Sequence, residues 1–356
     1  MQIGIPRSLL YYSYYTFWHG FLDALGIEIV LSDKTTKAIM SAGSSLVVTE
    51  TCLPIKIYVG HVLNLLEKGV DKILVPSIQS VSHKIYNCSK LRGLPDLIRN
   101  VVKKEFTIID ATLDKSQKNQ GLYHFLREIA ANFSIFDEKK IYDASKAGWK
   151  IYNNFNVMLR SGVEYEKALK LALKGQVVIN SEEAEFPINV AVIAHGYNLY
   201  DDRVSMKLIS KLKAMDVKAH TAQSLTLEQM KKGIETLGQE LYWANEYEMS
   251  GAAGHYLQDN KIDGIITLTA FGCGPDSLMI DRISRKIHEF KKPLLNLTVD
   301  EHTGEAGFIT RLEAFVDMLY RKKRAGILNK ISIRESKQPK AVEKKVYTSE
   351  QINLPQ

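Results

Sequence analysis

Short apolar runs alternate with longer stretches of helical periodicity along the first part of the chain. The runs with the length of buried strands are 2–5, 28–31, 72–76 and 106–109. The stretches whose apolar residues recur at helical spacing are 11–25, 54–66 and 94–102. Strands that alternate with helices are typical of a parallel α/β sheet, so the pattern predicts one such sheet here.

The same alternation begins again after Pro187. The second set of predicted strands is 189–194, 217–221, 264–268 and 293–298. The helices predicted with them are 204–215, 246–258, 277–289 and one from about residue 305. The stretch between the two sets is rich in Lys, Asn and Tyr, and its clear patterns are helical, at 118–131 and 164–173.

This pattern predicts two α/β modules in a chain long enough for two cores. We divide it into an N-terminal α/β domain (1–112), a helical insertion and linker (113–186), a C-terminal α/β domain (187–325) and a basic tail (326–356). An apolar content of 45% with 24% charged residues is that of an ordinary folded protein.

Charge and hydropathy narrow the expected partners. The chain begins with no leader pattern, and no apolar run approaches the ~20 residues of a membrane span, so we expect a cytoplasmic protein with no membrane partner. The net charge is +7, yet 321–345 alone carries ten Lys or Arg against two Glu. We therefore expect no specific nucleic-acid partner. The tail is interpreted as a solvated extension, with a docking arm for an acidic partner, RNA or a CoA phosphate as the alternative.

Three cysteines occur, an odd and widely spaced set that argues against a disulfide framework. Each is expected after a strand, and Cys52 and Cys273 at the start of a helix, where backbone N–H groups stabilise thiolates or cluster sulfides. Gly272 and Gly274 flank Cys273 and would let the backbone approach a cluster closely. Spacing alone, without a C-x-x-C pair, favours three separate buried thiols; the flanking glycines and prolines favour a cluster site, and both interpretations stay open.

Two further groups of polar residues are candidates for the same chemistry. Glu301 and His302 lie in a turn after the last predicted strand and could transfer protons; the alternative is a helix N-terminus capped by Thr303. Glu50 and Lys56 flank Cys52, where they either tune the charge of a cofactor or pair with each other.

Several longer segments carry a family resemblance. They are PRSLLYY (6–12), ETCLPIK (50–56), Gly60-His61, FGCGPDS (271–277), DEHTGEAG (300–307) and TRLEAFV (310–316). These segments resemble an uncharacterised family related to acyl-CoA dehydratase activators. That family lies within a superfamily of 2-hydroxyacyl-CoA dehydratase subunits, benzoyl-CoA reductase subunits and double-cubane cluster proteins.

The resemblance implies a fold, a cofactor and partners. The fold would be two Rossmann-like parallel-sheet domains with a cleft between them, and Cys52, Cys88 and Cys273 would bind one 4Fe-4S cluster there. The fourth iron site would be open or bridged. An ATP-dependent activator or reductase protein would deliver electrons at low potential for reductive chemistry on an acyl-CoA or another small molecule. A homo- or hetero-dimer is compatible with this picture.

Alternatives from another class of protein remain. One is a non-catalytic electron relay or scaffold that docks onto a dehydratase or its activator. Another is a zinc protein whose metal is bound by the cysteines with His61, His83 or His302. A substrate-sized cavity beside the cysteines would favour the catalyst over the relay.

Overall fold

The computed structural model describes residues 1–82, 85–180, 185–238 and 243–337, except the side chains of 245 and 326–337. The strands are β1 (Gln2–Ile5), β2 (Glu28–Leu31), β3 (Lys72–Leu74), β4 (Ser77–Ser82), β5 (Ile85–Tyr86), β6 (Thr107–Ile109), β7 (Thr112–Asp114), β8 (Ile188–Ala194), β9 (Val217–Thr221), β10 (Gly264–Ala270) and β11 (Leu294–Val299). The helices are α1 (Tyr11–Leu25), α2 (Lys37–Ser44), α3 (Leu53–Glu67), α4 (Ser89–Arg92), α5 (Leu94–Val101), α6 (Leu122–Ala131), α7 (Glu138–Arg160), α8 (Tyr165–Leu173), α9 (Gly196–Leu199), α10 (Leu208–Ala214), α11 (Leu227–Leu237), α12 (Ala244–Gln258), α13 (Gly274–Phe290) and α14 (Glu305–Lys337).

Two four-stranded sheets, each wholly parallel, organise the chain. Their strand orders are β2-β1-β3-β6 and β11-β10-β8-β9. Central strands β8 and β10 are buried along almost their whole length, as expected of parallel sheets covered on both faces. The predicted α/β class with two parallel sheets is confirmed.

A third, small sheet was not predicted. It has the order β5-β4-β7, with β5 antiparallel and β7 parallel to β4. Its main strand is the sequence SIQSVS, and its partners have two and three residues, so neither an apolar run nor a clean alternation marks it. This sheet matters because β5 leads directly into the Cys88 turn.

The stretch between the two large sheets consists mainly of α6, α7 and α8. These helices share one hydrophobic core with α1 and the first sheet. Helices α1 and α7 approach closely at two glycines: a Cβ added to Gly20 would lie 2.8 Å from the carbonyl oxygen of Ala147. Helix α7 was not predicted, because its 23 residues mix Lys, Asn and Tyr with few aliphatic side chains.

The two halves of the chain also share a core. Met40, Leu53 and Ile57 from α2 and α3 pack in one cluster with buried residues of the second sheet. Because α3 begins beside Cys52, this packing fixes one cysteine-bearing turn against the C-terminal half. Most of the basic tail, 338–356, lies outside the described residues. In the described part of the chain, no helix is long and apolar enough to cross a membrane.

Candidate functional site

Each cysteine stands at the residue that precedes a helix. Cys52, Cys88 and Cys273 are the N-cap residues of α3, α4 and α13, all with extended backbone. Pro54 and Pro275 occupy the first turns of α3 and α13, where a missing N–H costs no hydrogen bond. The three sulfurs therefore sit where the first N–H groups of a helix point outward.

The segments that precede the cysteines differ from those expected. Cys273 follows β10, as predicted. Cys88 follows the short hairpin of β4 and β5 rather than a strand of the large sheet. The expectation for Cys52 is wrong: the apolar residues 46–48 form no strand, and Cys52 follows α2 and a loop. Short strands elsewhere in the chain, such as β3, pair with a neighbouring strand, and residues 46–48 have no such pairing among the described residues.

All three cysteines line one cavity between the two halves of the chain. Its volume is about 30 Å³, and its wall also includes Leu9 and His195. Leu9, His195 and Cys273 each follow the carboxyl end of a parallel strand (β1, β8 and β10), the edge at which crevice sites form in α/β proteins. The thiols are free and partly exposed. The cavity therefore gathers side chains that are far apart in sequence.

Burial sets the protonation state of the thiols. It raises the pKa of Cys52 to about 11 and raises the pKa values of Cys88 and Cys273 as well. Mutual repulsion contributes, because Cys52 lies close enough to Cys88 and to Cys273 to disfavour a second thiolate. A metal centre bound here would displace three protons, since only the thiolate is a strong ligand.

The two glycines beside Cys273 have different surroundings. Gly272 has φ +79°, and a Cβ there would lie 3.3 Å from the carbonyl oxygen of Glu50, so its role is to join two cysteine-bearing turns closely. Gly274 has an ordinary backbone, and nothing lies within 4 Å of its Cβ position. Gly274 is exposed and does not line the cysteine cavity, so the space beside it is solvent.

A buried acid and histidine in the same wall were not predicted. His195 Nε2 lies 2.7 Å from Asp276 Oδ1, and both side chains are 4% exposed. Burial lowers and Asp276 raises the pKa of His195, and the net shift is upward. Asp276 Oδ2 and the side-chain amide of Asn198 are buried and have no hydrogen-bond partner among the residues that the structure describes. Asp276 lies in the FGCGPDS segment, three residues after Cys273. This closeness in sequence was the signal that could have identified it as a site residue.

Lys56 and Glu301 form an ion pair across the two halves. Their side chains are 4% and 14% exposed, Lys56 Nζ lies 2.5 Å from Glu301 Oε1, and Lys56 also donates to the carbonyl oxygen of Thr49 at 2.9 Å. The alternative pairing of Glu50 with Lys56 is thus wrong, because Glu301 reaches Lys56 from the turn after β11. Lys56 and Glu301 both lie outside the lining of the cysteine cavity.

The turn that holds Glu301 is built by its neighbours. Asp300 Oδ1 accepts from the N–H of His302 and from the hydroxyl of Thr303, and the Thr303 hydroxyl accepts from the N–H of Asp300. This turn leaves the side chain of His302 83% exposed. The catalytic roles of Glu301 and His302 stay predictions.

A larger cavity adjoins the cysteine cavity. Its volume is about 270 Å³, and Leu9, Leu91, His195 and Tyr197 line both. The partition between the two cavities is therefore only one side chain thick. A small molecule in the larger cavity would be separated from the cysteines by those four residues alone.

The chain was compared with known protein families. The model of the family described as CoA enzyme activase uncharacterised domain matches residues 2–225, more than half of the 356 residues. The chain belongs to this family. No curated protein matches the chain. The resemblance to a family related to acyl-CoA dehydratase activators is thereby confirmed.

The family match covers the site unevenly. Cys52 and Cys88 lie within the matched residues, whereas Cys273, Asp276 and Glu301 lie beyond residue 225. The cavity that gathers the three cysteines thus combines the part of the chain common to this family with the C-terminal half. The family's activase description indicates a role connected with CoA enzymes.

The donor set suits an iron-sulfur cluster in its chemistry. Three thiols at three helix starts line a common cavity, and its wall also holds polar atoms of Asn198 and Asp276 that have no hydrogen-bond partner among the described residues. The volume of about 30 Å³ has room for only about two waters. Within the described ranges, no group of three or more His, Cys, Asp or Glu side chains is arranged to hold a single metal ion.

Two of the histidines proposed for zinc, His61 and His302, lie away from the cysteines. His61 is fully buried, its Nε2 lies 2.9 Å from Thr35 Oγ1, and it does not line the cysteine cavity. His302 is exposed and also lies outside that wall. His83 is outside the described residues.

Proposed function

We propose that the protein is an iron-sulfur protein in which Cys52, Cys88 and Cys273 bind one 4Fe-4S cluster between the two halves of the chain. The observation that carries the proposal is the gathering of three N-cap cysteines around one cavity. Separate inert thiols have no reason to meet, since the chain holds three cysteines in all and they are 36 and 185 residues apart. A cubane with three protein thiolates keeps one iron site free for another ligand.

The chain's own residues would hold and shield this centre. The N–H groups at the starts of α3, α4 and α13 would donate toward cluster sulfides or thiolates, which stabilises negative charge. Tyr197 lines the same cavity as the three cysteines, and desolvation together with nearby Asp276 raises its pKa, which keeps its phenol neutral. His195 holds Asp276 next to Cys273 and would orient that carboxyl group.

Low-potential electron transfer or reductive chemistry is the activity we infer for this centre. When bound, a 4Fe-4S cluster supplies one electron at a time at low potential. The family connects the chain with CoA enzymes, so an acyl-CoA or another small molecule is the proposed substrate, and an ATP-dependent activator or reductase the proposed electron donor. We place this chemistry in the cytoplasm, where thiols stay reduced.

The neighbouring cavity favours a catalyst over an electron relay. A relay needs no room for a second molecule and can cover its cluster with protein. Here a cavity of about 270 Å³ lies one side chain away from the cysteines. A substrate could therefore approach the open iron site through that partition.

Replacing Cys273 by serine tests the ligand assignment. We expect Cys273→Ser, purified without oxygen, to lose most of its iron while its circular dichroism stays that of the parent. Serine is nearly isosteric with cysteine and a far weaker ligand for cluster iron, so the change removes coordination rather than volume. Iron content and the electron paramagnetic resonance spectrum are the measurements.

Thr51→Ser is the matched control for this experiment. Thr51 is buried beside Cys52, and its replacement introduces the same side chain without removing a thiol. It should keep the iron content of the parent. Full iron content and an unchanged spectrum in Cys273→Ser would show that Cys273 is not a ligand.

A further inference from the structure

The larger cavity has an aromatic wall. Its volume is about 270 Å³, and most of its ring-bearing residues come from α1, α6 and α7, which share the core of the N-terminal half. These residues are Tyr14, Phe17, Trp18, Phe125 and Trp149. A wall of this kind stacks against planar, uncharged groups and offers little to a highly charged one.

One acidic group interrupts the aromatic wall. Glu248 lies deep in the protein, yet its side chain is partly exposed because it faces the cavity. Gln223 Nε2 donates to its Oε1 at 2.8 Å, and burial raises the pKa of the carboxyl group. The raised pKa favours the neutral acid, which can donate as well as accept a hydrogen bond.

The cavity has an open side and a closed side. Ser13 and Lys115 line it and are exposed, so it opens to solvent between α1 and the turn after β7. On the opposite side, His195 and Tyr197 separate it from the cysteine cavity. A molecule that enters past Ser13 thus ends beside the proposed cluster.

Size limits what can bind. An engineered cavity of about 150 Å³ in another protein holds benzene, so about 270 Å³ has room for a ring with a substituent of a few atoms. Whole CoA is far too large, and its nucleotide would have to stay outside.

We propose that this cavity binds an aromatic ring carrying one uncharged carbonyl or amide group, with the ring against Trp18 and Trp149 and the polar group at Glu248. The role of this molecule as substrate rests on the function proposed above. The binding of this molecule is independent of that function, because the cavity is formed by protein residues without any cluster.

In a first experiment, benzamide is titrated into the full chain, and the tryptophan fluorescence of the protein reports binding. Trp18 and Trp149 lie in the wall, so saturable quenching is expected with the parent protein. Ala244→Phe places a ring in the cavity and should weaken benzamide binding more than about tenfold, since it takes the ligand's space. Ala131→Phe adds the same ring at an exposed position of α6 and should bind as the parent does. Absence of saturable binding in the parent, or parent-like binding by a folded Ala244→Phe, would overturn the proposal.

Glu248→Leu tests the polar end of the ligand without filling the cavity. Loss of one hydrogen bond should weaken benzamide binding about tenfold, while ethylbenzene, which has no polar group, should bind as well as before or better. Equal effects on both probes would contradict the role of Glu248.

The same titration on iron-free Cys273→Ser separates the two proposals. Benzamide binding by that variant supports the cavity proposal even if the protein proves to have no cluster. An iron-containing parent that binds no benzamide overturns the cavity proposal alone.

Discussion

His61 is a buried base at the interface of the two halves. Its Nε2 lies 2.9 Å from the Thr35 hydroxyl, which in turn donates to Asp201 of the C-terminal half. Thr35 therefore accepts from Nε2–H. Nδ1 is left unprotonated, and within the described part of the chain it has no hydrogen-bond partner. Burial, with Arg7 nearby, lowers the pKa of His61 to about 3. The folded state thus requires a neutral imidazole at this position.

The lowered pKa predicts a loss of stability in acid. The unfolded chain binds a proton at His61 near pH 6.5 and the folded chain only near 3, so stability falls as the pH drops below about 6.5. Going from about pH 7.5 to about pH 5.5 should cost about 1.4 kcal/mol of unfolding free energy through this residue. Urea unfolding at both pH values measures this cost.

His61→Gln removes the titrating group and keeps a hydrogen-bond donor to Thr35. We expect its unfolding free energy to fall less over the same pH interval than that of the parent, by about 1.4 kcal/mol. His302→Gln, at an exposed histidine, is the control and should keep the parental slope. An equal slope in His61→Gln and the parent would refute the assignment.

At the residue scale, the sequence predicted the three cysteines of the candidate site. It did not predict which side chains form pairs with one another. The three cysteines were marked by their glycines and prolines, and they line one cavity. The partner of Lys56 could not be found, because Glu301 is 245 residues away and nothing local distinguishes it from Glu50. Asp276 and His195 were missed as a pair for the same reason, since their contact spans 81 residues.

At the scale of secondary-structure elements, the most direct contact is between helices α2 and α3, whose backbones touch. A Cβ added to Gly43 would lie 1.8 Å from the carbonyl oxygen of Lys56, and one added to Gly60 would lie 2.0 Å from that of Ile39. No side chain can occupy either position without moving one helix. Because α3 begins beside Cys52, this contact also determines where the first thiol lies.

Gly43→Ala should therefore disturb both stability and the site. We expect a loss of about 1 to 3 kcal/mol in unfolding free energy, the usual cost of overpacking, together with reduced iron content. Chemical denaturation and iron analysis of the same sample measure the two effects.

Gly307→Ala is the control for that substitution. Gly307 lies in α14, with an ordinary backbone and nothing within 4 Å of its Cβ position. Alanine there should be neutral or stabilising by up to about 1 kcal/mol, because alanine is the better helix former. If Gly43→Ala left the unfolding free energy and the iron content unchanged, α2 and α3 would be able to move apart without cost.

Element prediction from sequence succeeded where one strong signal sufficed. Strands β1 and β2 and helix α1 have the predicted bounds, since each is a compact apolar run or a clear helical pattern. Strand β9, with the sequence VKAHT, also has the predicted bounds. Helix α11 was missed although Thr226 and Gln229 form a capping box at its start. Its apolar residues Leu227, Met230, Ile234 and Leu237 also recur at helical spacing, so the sequence carried a signal for this helix that the prediction did not use.

At the scale of the whole molecule, the site exists only when the two halves meet. The carboxyl ends of β1, β8 and β10 contribute to one cavity, so strand order in two sheets brings Leu9, His195 and Cys273 together. The sequence predicted the alternation of strands and helices, and hence this edge of the sheet. It could not predict the orientation of one sheet toward the other, which depends on contacts such as those of Met40, Leu53 and Ile57 with the second sheet.

Iron and acid-labile sulfide in the full chain, purified and reconstituted without oxygen, test the central claim most directly. We predict roughly four iron and four sulfide per chain, as one 4Fe-4S cluster requires, with broad visible absorption that bleaches on reduction. A chain that contains neither iron nor sulfide after anaerobic reconstitution would contradict the cluster assignment.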